Sequence, residues 1–509
     1  MASKRVILTI NNEVSCKFEG LDHAHLSLFV QAYATYAPNY FFHPLYKLGT
    51  WDGRIRFFTW NGETYVTLIP EIVQAITKLG YKITVDDQRV SSFFEPAPID
   101  ENFFSHVINP ETNEPIILRD YQVRFANTLM KQGNGIGVAA TSAGKTFLCG
   151  SIVESYRRVG ARSMLIVPNK DLIKQTRKEF EFLGIETGEY SGKVKDTNAR
   201  DIVVSTWQAL KNNPTVITDR DVVLVDETHG ARGNVLQELL VNHCKNIVHR
   251  FGVTGTMPEH PSEALSVRCA IGDVLDTIDA ATLIEKGVLA TIDISVVQMV
   301  EDLTEQYQLY VDAYEGSDDE LVDYKTFKDK YFADYTSEKK YLAKKEERLE
   351  WISGMVDSRR NSGNVLVLVQ SVDMGRKLAE ITPNSKFVYG NDDDKVREEA
   401  YSLFAQNDSI VVFATYGIAS TGLSIKRIHE LILIDIGKSF IRVIQSIGRG
   451  LRKAPDKQHI NVWDICSDLS YSKRHLTKRK AMYKKASYPH KVKKVDYVKQ
   501  PQYDKLFSQ

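Results

Sequence analysis

Short apolar runs recur through the middle of the chain at 136–139, 163–167, 202–205, 222–225 and 247–253. They lack the polar alternation of a strand with one wet face, so each predicts a strand buried on both sides. Longer amphipathic stretches separate them. Residues 171–183 set Leu172, Ile173, Thr176, Phe180 and Leu183 at helical spacing. Buried strands alternating with helices predict a parallel, doubly wound sheet. The same grammar returns at 365–369, 387–389, 410–414, 431–435 and 460–464. Residues 301–345, early in this second set, are acidic, aromatic and helical in pattern. Ahead of both sets, strand patterns at 6–10, 54–58 and 65–69 flank helical ones at 21–34 and 71–79. A stretch at 93–115, rich in Pro, Asn and acids, reads as a linker. The predicted fold class is α/β, with two doubly wound parallel-sheet domains in tandem (106–285 and 286–470). A small α+β domain (1–105) precedes them and a basic extension (471–509) follows.

Composition narrows the class only slightly. The 509 residues are 43% hydrophobic and 26% charged, ordinary for a water-soluble globular chain. No apolar run approaches the ~18 residues that span a bilayer, and the first ten residues meet Asn11, Asn12 and Glu13 before any signal-peptide core forms. No membrane partner and a cytoplasmic location are expected. Five scattered cysteines fit a reducing compartment and argue against a zinc site. Lys plus Arg and Asp plus Glu both total 65, which excludes a globally basic nucleic-acid binder but not a locally basic one. Residues 301–323 hold nine acids and no Lys or Arg, whereas 473–499 hold eleven Lys and Arg against Asp496. That segregation predicts a polyanion partner near the C-terminus.

Chemistry enters after the first apolar run. Val138-Ala139-Ala140-Thr141-Ser142-Ala143-Gly144-Lys145-Thr146 has the make-up of a phosphate-binding loop, although Ala139 stands where its first glycine usually does. Small residues let backbone N–H groups curl round a phosphate, and the following helix N-terminus adds positive potential. Lys145 would reach the β- and γ-phosphates of ATP and the Thr146 hydroxyl would hold Mg2+. The run 222–225 then delivers Asp226-Glu227-Thr228-His229, supplying a second magnesium ligand in Asp226 and a water-activating base in Glu227. No phosphate loop occurs in the second α/β half, so ATP is expected in a cleft between two domains.

These motifs and their order resemble superfamily 2 helicases of the DExH type over about residues 116–470. The resemblance implies two RecA-like domains. In Leu118-Arg119-Asp120-Tyr121-Gln122, Gln122 would read adenine and Arg119 or Tyr121 would pack on the base. Thr141, Ser142, Ala143 and Gly144 would line the phosphates, and His229 would couple the nucleotide site to the second domain. Thr254-Gly255-Thr256 resembles the motif linking hydrolysis to strand movement. Pro168, Asn169, Lys170, Thr206, Gln208, Thr415 and Thr421 match positions that hold a nucleic-acid backbone. Ser420-Thr421-Gly422-Leu423-Ser424 is similar to a motif touching nucleotide and nucleic acid, with Gly422 on the nucleotide side; Ser424 replaces the usual Asp. Gln445-Ser446-Ile447-Gly448-Arg449-Gly450-Leu451-Arg452 fits the last helicase motif, with Gln445 at the nucleotide, Arg452 as arginine finger and Arg449 as its phosphate-contacting neighbour.

The first domain narrows the resemblance. Pro44-Leu45-Tyr46-Lys47-Leu48-Gly49-Thr50-Trp51-Asp52-Gly53-Arg54 is similar to the N-terminal domain of the UvsW-type recombination helicases of tailed phages. That resemblance implies a DNA helicase acting on duplex, forked and four-way-junction DNA, with RNA–DNA hybrids as further substrates; a monomer is expected. Lys47, Arg54 and Arg56 become candidate DNA contacts. Three alternatives remain open on the motifs: the motor subunit of a restriction system, an RNA helicase, and a scaffold that no longer turns over ATP.

Overall fold

The computed structural model describes residues 4–89, 94–110, 112–192, 194–197, 201–314, 321–390, 392, 394–416, 427–437, 448, 451, 453, 456–499 and 503. The chain divides at Ile278 into two compact units, residues 141–143 apart.

The first unit holds two main sheets. The smaller orders its strands Glu63–Tyr65, Ser15–Glu19, Arg5–Ile10, Lys82–Asp87, with the central strand antiparallel to the second and parallel to the last. Alternation works as expected there: Val6, Leu8, Cys16 and Phe18 point inward onto Phe29, Phe58, Ile72 and Ile76 of the covering elements. The predicted strand at 65–69 is replaced by a turn and a helix. Pro70 lies in the first turn of helix Ile69–Lys78, where its fixed φ is favourable and its missing N–H costs nothing. The small core also takes in Cys269 and Leu265 from helix Pro261–Ile271 of the larger sheet, and Arg268 pairs with Glu71 at 2.6 Å. The 93–115 stretch carries a short hairpin, Ile108–Asn109 with Glu114–Pro115.

The larger sheet of this unit runs Lys195–Asp196, Gly188–Tyr190, Ile202–Thr206, Ser163–Val167, Val222–Asp226, His249–Thr254, Asn134–Ala139, Val274–Ile278. All neighbours are parallel except the first pair. The central strands are buried along almost their whole length. In such a sheet, loops at the carboxyl ends of the strands form the binding face. The phosphate loop, Pro168-Asn169, Thr206, Asp226-Glu227 and Thr254 all lie at such ends.

The second unit carries a seven-stranded, wholly parallel sheet ordered Ser385–Val388, Val411–Thr415, Val365–Val369, Glu430–Ile434, His459–Ser467, Thr291–Met299, His490–Val495. Its edge strand comes from the predicted basic extension. Helix Ser470–Lys485 of that segment packs inward as well, and Arg479 is 1% exposed. Its guanidinium bonds both oxygens of Asp464 (2.8 and 2.9 Å) and the Ile436 carbonyl, while the Tyr483 hydroxyl donates to the same carboxylate. One of the eleven bases read as a polyanion surface is therefore part of the core. The acidic segment is helical as expected, over Thr304–Tyr314, Tyr324–Lys330 and Tyr335–Leu342. Behind it, buried Arg348 donates to Asp435 at 2.8 Å and lies 3.2 Å from Glu301, which also accepts from Tyr497.

Candidate active site

The phosphate loop turns on two left-handed residues, Ser142 (φ 67) and Gly144 (φ 80). Gly144 is the N-cap of helix Lys145–Arg158 and has no side chain to cover the first-turn amides. A Cβ there would collide with the Gln122 amide nitrogen. Gln122 is buried: its amide donates to the Gly144 carbonyl (3.3 Å) and its carbonyl accepts from the Arg119 N–H (2.9 Å). Arg119 in turn donates to the Tyr121 hydroxyl at 2.9 Å. The Leu118-to-Gln122 motif and the loop thus form one hydrogen-bonded unit. Thr146 is half-buried in the first helical turn.

Strand Val222–Asp226 delivers the acidic pair. Glu227 has φ 51, a left-handed conformation that a non-glycine residue adopts only when its surroundings hold it. Thr228 supplies the hold. Its side chain is wholly buried, and its hydroxyl lies 2.9 Å from the Val225 carbonyl and 3.0 Å from that of Val253. Neighbouring Gly252 leaves the room, since a Cβ there would sit 2.6 Å from the Thr228 hydroxyl oxygen. The Glu227 carboxylate consequently faces Lys145 at 3.5 Å and His229 at 3.3 Å. His229 also meets Thr254 at 3.0 Å, and Thr254 bonds the Thr256 carbonyl. This joins the DExH box to the Thr-Gly-Thr motif within one unit.

The electrostatics separate the two acids. Burial and the adjacent Glu227 push the Asp226 carboxyl up from its usual range, against the pull of Lys145. Burial acts on Glu227 in the same sense, but Lys145 and His229 overcome it and hold that carboxylate ionised. Two acids facing one Lys leave the ionised form of Asp226 short of positive charge. A divalent cation beside Asp226 and Thr146 would correct that, so the donor set fits Mg2+.

The expected nucleic-acid positions divide. Asn169 caps helix Lys170–Phe182 by accepting from the Leu172 N–H, and Thr206 caps Trp207–Asn212 by accepting from Ala209. Capping alone accounts for both residue types. Lys170 and Gln208 are exposed, Pro168 is half-buried, and Thr415 ends a strand of the second unit. Arg54 lies over the Tyr36 ring, Arg56 pairs with Asp52 at 2.6 Å, and Lys47 is exposed. Thr421, Gly422, Gln445, Arg449 and Arg452 lie outside the described residues. Sequence reasoning overlooks Thr228 as the anchor of the acidic pair; the small Gly252 facing it across the sheet is the available signal.

Three family descriptions match the chain: DNA helicase UvsW, N-terminal (residues 14–86); Type III restriction enzyme, res subunit (115–259); and Helicase conserved C-terminal domain (345–454). The ATP-dependent DNA helicase uvsW of Enterobacteria phage T4 is 24% identical over 445 residues, covering 84% of each chain. The crystal structure of T4 UvsW aligns over 97% of this chain and 99% of its own at 19% identity, TM-score 0.46. A fragment assigned to the HsdR subunit of a type I restriction enzyme from Vibrio vulnificus aligns over 78% of this chain and 71% of its own at 16% identity, TM-score 0.53, which supports the fold.

Proposed function

We propose that the chain, an ATP-hydrolysing helicase of superfamily 2, translocates on DNA and acts on branched molecules. The observation that carries the motor reading is the cluster of Lys145, Asp226, Glu227 and His229 at the carboxyl ends of parallel strands. The reading of DNA as its track rests on the N-terminal match and on the phage relative that bears that activity in its name.

In this mechanism Lys145 and the amides of the first helical turn bind the ATP phosphates. Gln122 and Arg119, already tied to the loop, take the adenine. Thr146 and Asp226 would hold Mg2+, which supplies charge neutralisation on the phosphates. Glu227 orients a water and accepts its proton. His229 and Thr254 relay the state of that carboxylate to the Thr-Gly-Thr motif. Arg449 and Arg452, with Gly422 and Gln445, are assigned to complete the site from the second domain when the cleft closes, a group of a kind worth ~10³ or more in rate. Pro168, Asn169, Lys170, Thr206, Gln208, Thr415 and Thr421 are assigned to one strand's backbone, and Lys47, Arg54 and Arg56 to duplex DNA. Backbone grip predicts weak sequence preference and strong salt dependence.

The substrates assigned are regressing forks, migrating four-way junctions and RNA–DNA loops. The test compares ATP-dependent processing of a synthetic fork, a four-way junction and a plain duplex. Faster processing of both junctions is expected, and equal activity on an RNA duplex counts against DNA. The res-subunit match favours one second reading, the motor of a restriction system. That role needs a nuclease centre, and among the described residues no group of three or more His, Cys, Asp or Glu is placed to hold a metal. Metal-dependent cutting of plasmid DNA by the purified protein would revive it.

A further inference from the structure

The small domain exposes large apolar side chains that its core does not use. Phe41 is 50% exposed, Phe42 67% and Leu48 73%. Isolated exposed apolar residues are ordinary, but a contiguous group marks an interaction surface. Here the rings are continuous. Phe41 and Phe42 have centroids 4.4 Å apart, Phe41 meets Tyr40 edge-on at 5.6 Å, and Tyr40 stacks on Tyr36 at 4.4 Å. The Arg54 guanidinium lies over Tyr36, 4.8 Å from its centroid, and ends the row with a cation. The backbone accommodates the row: Gly53 has φ +78, and a Cβ on it would fall 2.5 Å from the Tyr40 ring. Phe41 and Phe42 form a short helical turn, Tyr40–Phe42, directly ahead of helix Pro44–Lys47, so Lys47 follows within five residues.

Charge identifies the occupant. Between residues 36 and 60 the only acid is Asp52, which is tied to Arg56 and to the Arg54 N–H. Arg54 remains over Tyr36, and exposed Lys47 ends the short helix that follows the rings. Exposed ring faces flanked by cations, with the single carboxylate neutralised, suit a ligand that alternates flat apolar faces with phosphates. Inside a duplex the base faces are already stacked, so only an unpaired base offers one. We propose that Phe41 and Phe42 stack on unpaired bases where the strands of a branched nucleic acid separate, with Lys47 and Arg54 on the flanking phosphates. This rests on the branched-DNA reading above and gives it a contact that tells a branch from a plain duplex.

The test uses the full chain, a fork carrying 2-aminopurine at its first unpaired position, and a blunt duplex of equal length. Wild type is expected to quench the probe on binding. F41A/F42A should lose the quench and at least about tenfold in fork affinity, the scale of base–aromatic stacking. Blunt-duplex affinity and ATP turnover should stay as in wild type, and F41W/F42W should restore fork binding and quench. Unchanged fork binding by F41A/F42A overturns the proposal, as does an equal loss on both substrates. A wild-type oligomer that becomes a monomer in F41A/F42A, with fork binding kept, also overturns it and makes the patch a contact between copies. If wild-type turnover responds to no DNA at all, the branched-DNA reading itself falls, whereas DNA-stimulated turnover without any quench sinks only the stacking contact.

Discussion

Gly252→Ala places a methyl group against the anchor of the catalytic acid. The added Cβ would lie 2.6 Å from the Thr228 hydroxyl oxygen and 2.8 Å from its methyl carbon. Ordinary contact begins near 3.4 Å, so Thr228 must give way by several tenths of an ångström within a closed core. Overpacking of this kind costs ~1–3 kcal/mol, and weakening the buried hydroxyl's bonds to the Val225 and Val253 carbonyls adds ~1 kcal/mol. A loss of ~2–4 kcal/mol is expected in chemical denaturation. Thr228 immediately follows Glu227, so its displacement releases the left-handed turn that aims the carboxylate. A misplacement near 1 Å is worth ~10²-fold in rate, and ATP turnover should fall accordingly. Thr228→Ala removes both clashing atoms and by itself costs ~1–2 kcal/mol. The double variant should then be more stable than the two separate losses imply, by ~1–2 kcal/mol. Additive losses, or a Gly252→Ala protein as stable and active as wild type, would refute the reasoning.

Two further outcomes follow from buried titratable groups. Burial beside Tyr156 and Phe251 lowers the His249 imidazole from 6.5 to about 4. Between those values the unfolded chain binds a proton that the folded chain refuses. Stability therefore falls as pH drops from about 6.5 towards 4, by up to ~3 kcal/mol, and His249→Gln should flatten that slope in urea titrations at pH 7 and 5. Arg479→Ala strips the buried Asp464 of its ion pair, and a loss of ~3–5 kcal/mol is expected in thermal or urea unfolding, against little change for exposed Lys480→Ala.

The strands carrying the motifs are legible because burial on both faces keeps them largely apolar, although His249 and Arg250 interrupt one of the runs. Ser163–Val167 and Val365–Val369 coincide with their predicted bounds. Strands at sheet edges are not legible in this way. His490–Val495 is rich in lysine because an edge strand is half in water and charge discourages pairing with other chains, so it reads as a solvated tail. Arg479 is hidden for another reason: the Asp464 that neutralises it lies on a separate strand fifteen residues earlier. Lys145, Asp226, Glu227 and His229 are legible as motifs and meet in space. Asn169 and Thr206 both cap helices, and a residue that caps a helix looks the same in sequence as one that holds a phosphate.

Glu227→Gln separates the base from the rest of the ATP site. The amide keeps the shape of the side chain facing Lys145 and His229 but cannot take a proton from water. ATP affinity within about twofold of wild type is predicted, with turnover reduced at least ~100-fold, the range for loss of a general base. Turnover within a few-fold of wild type would contradict the assignment.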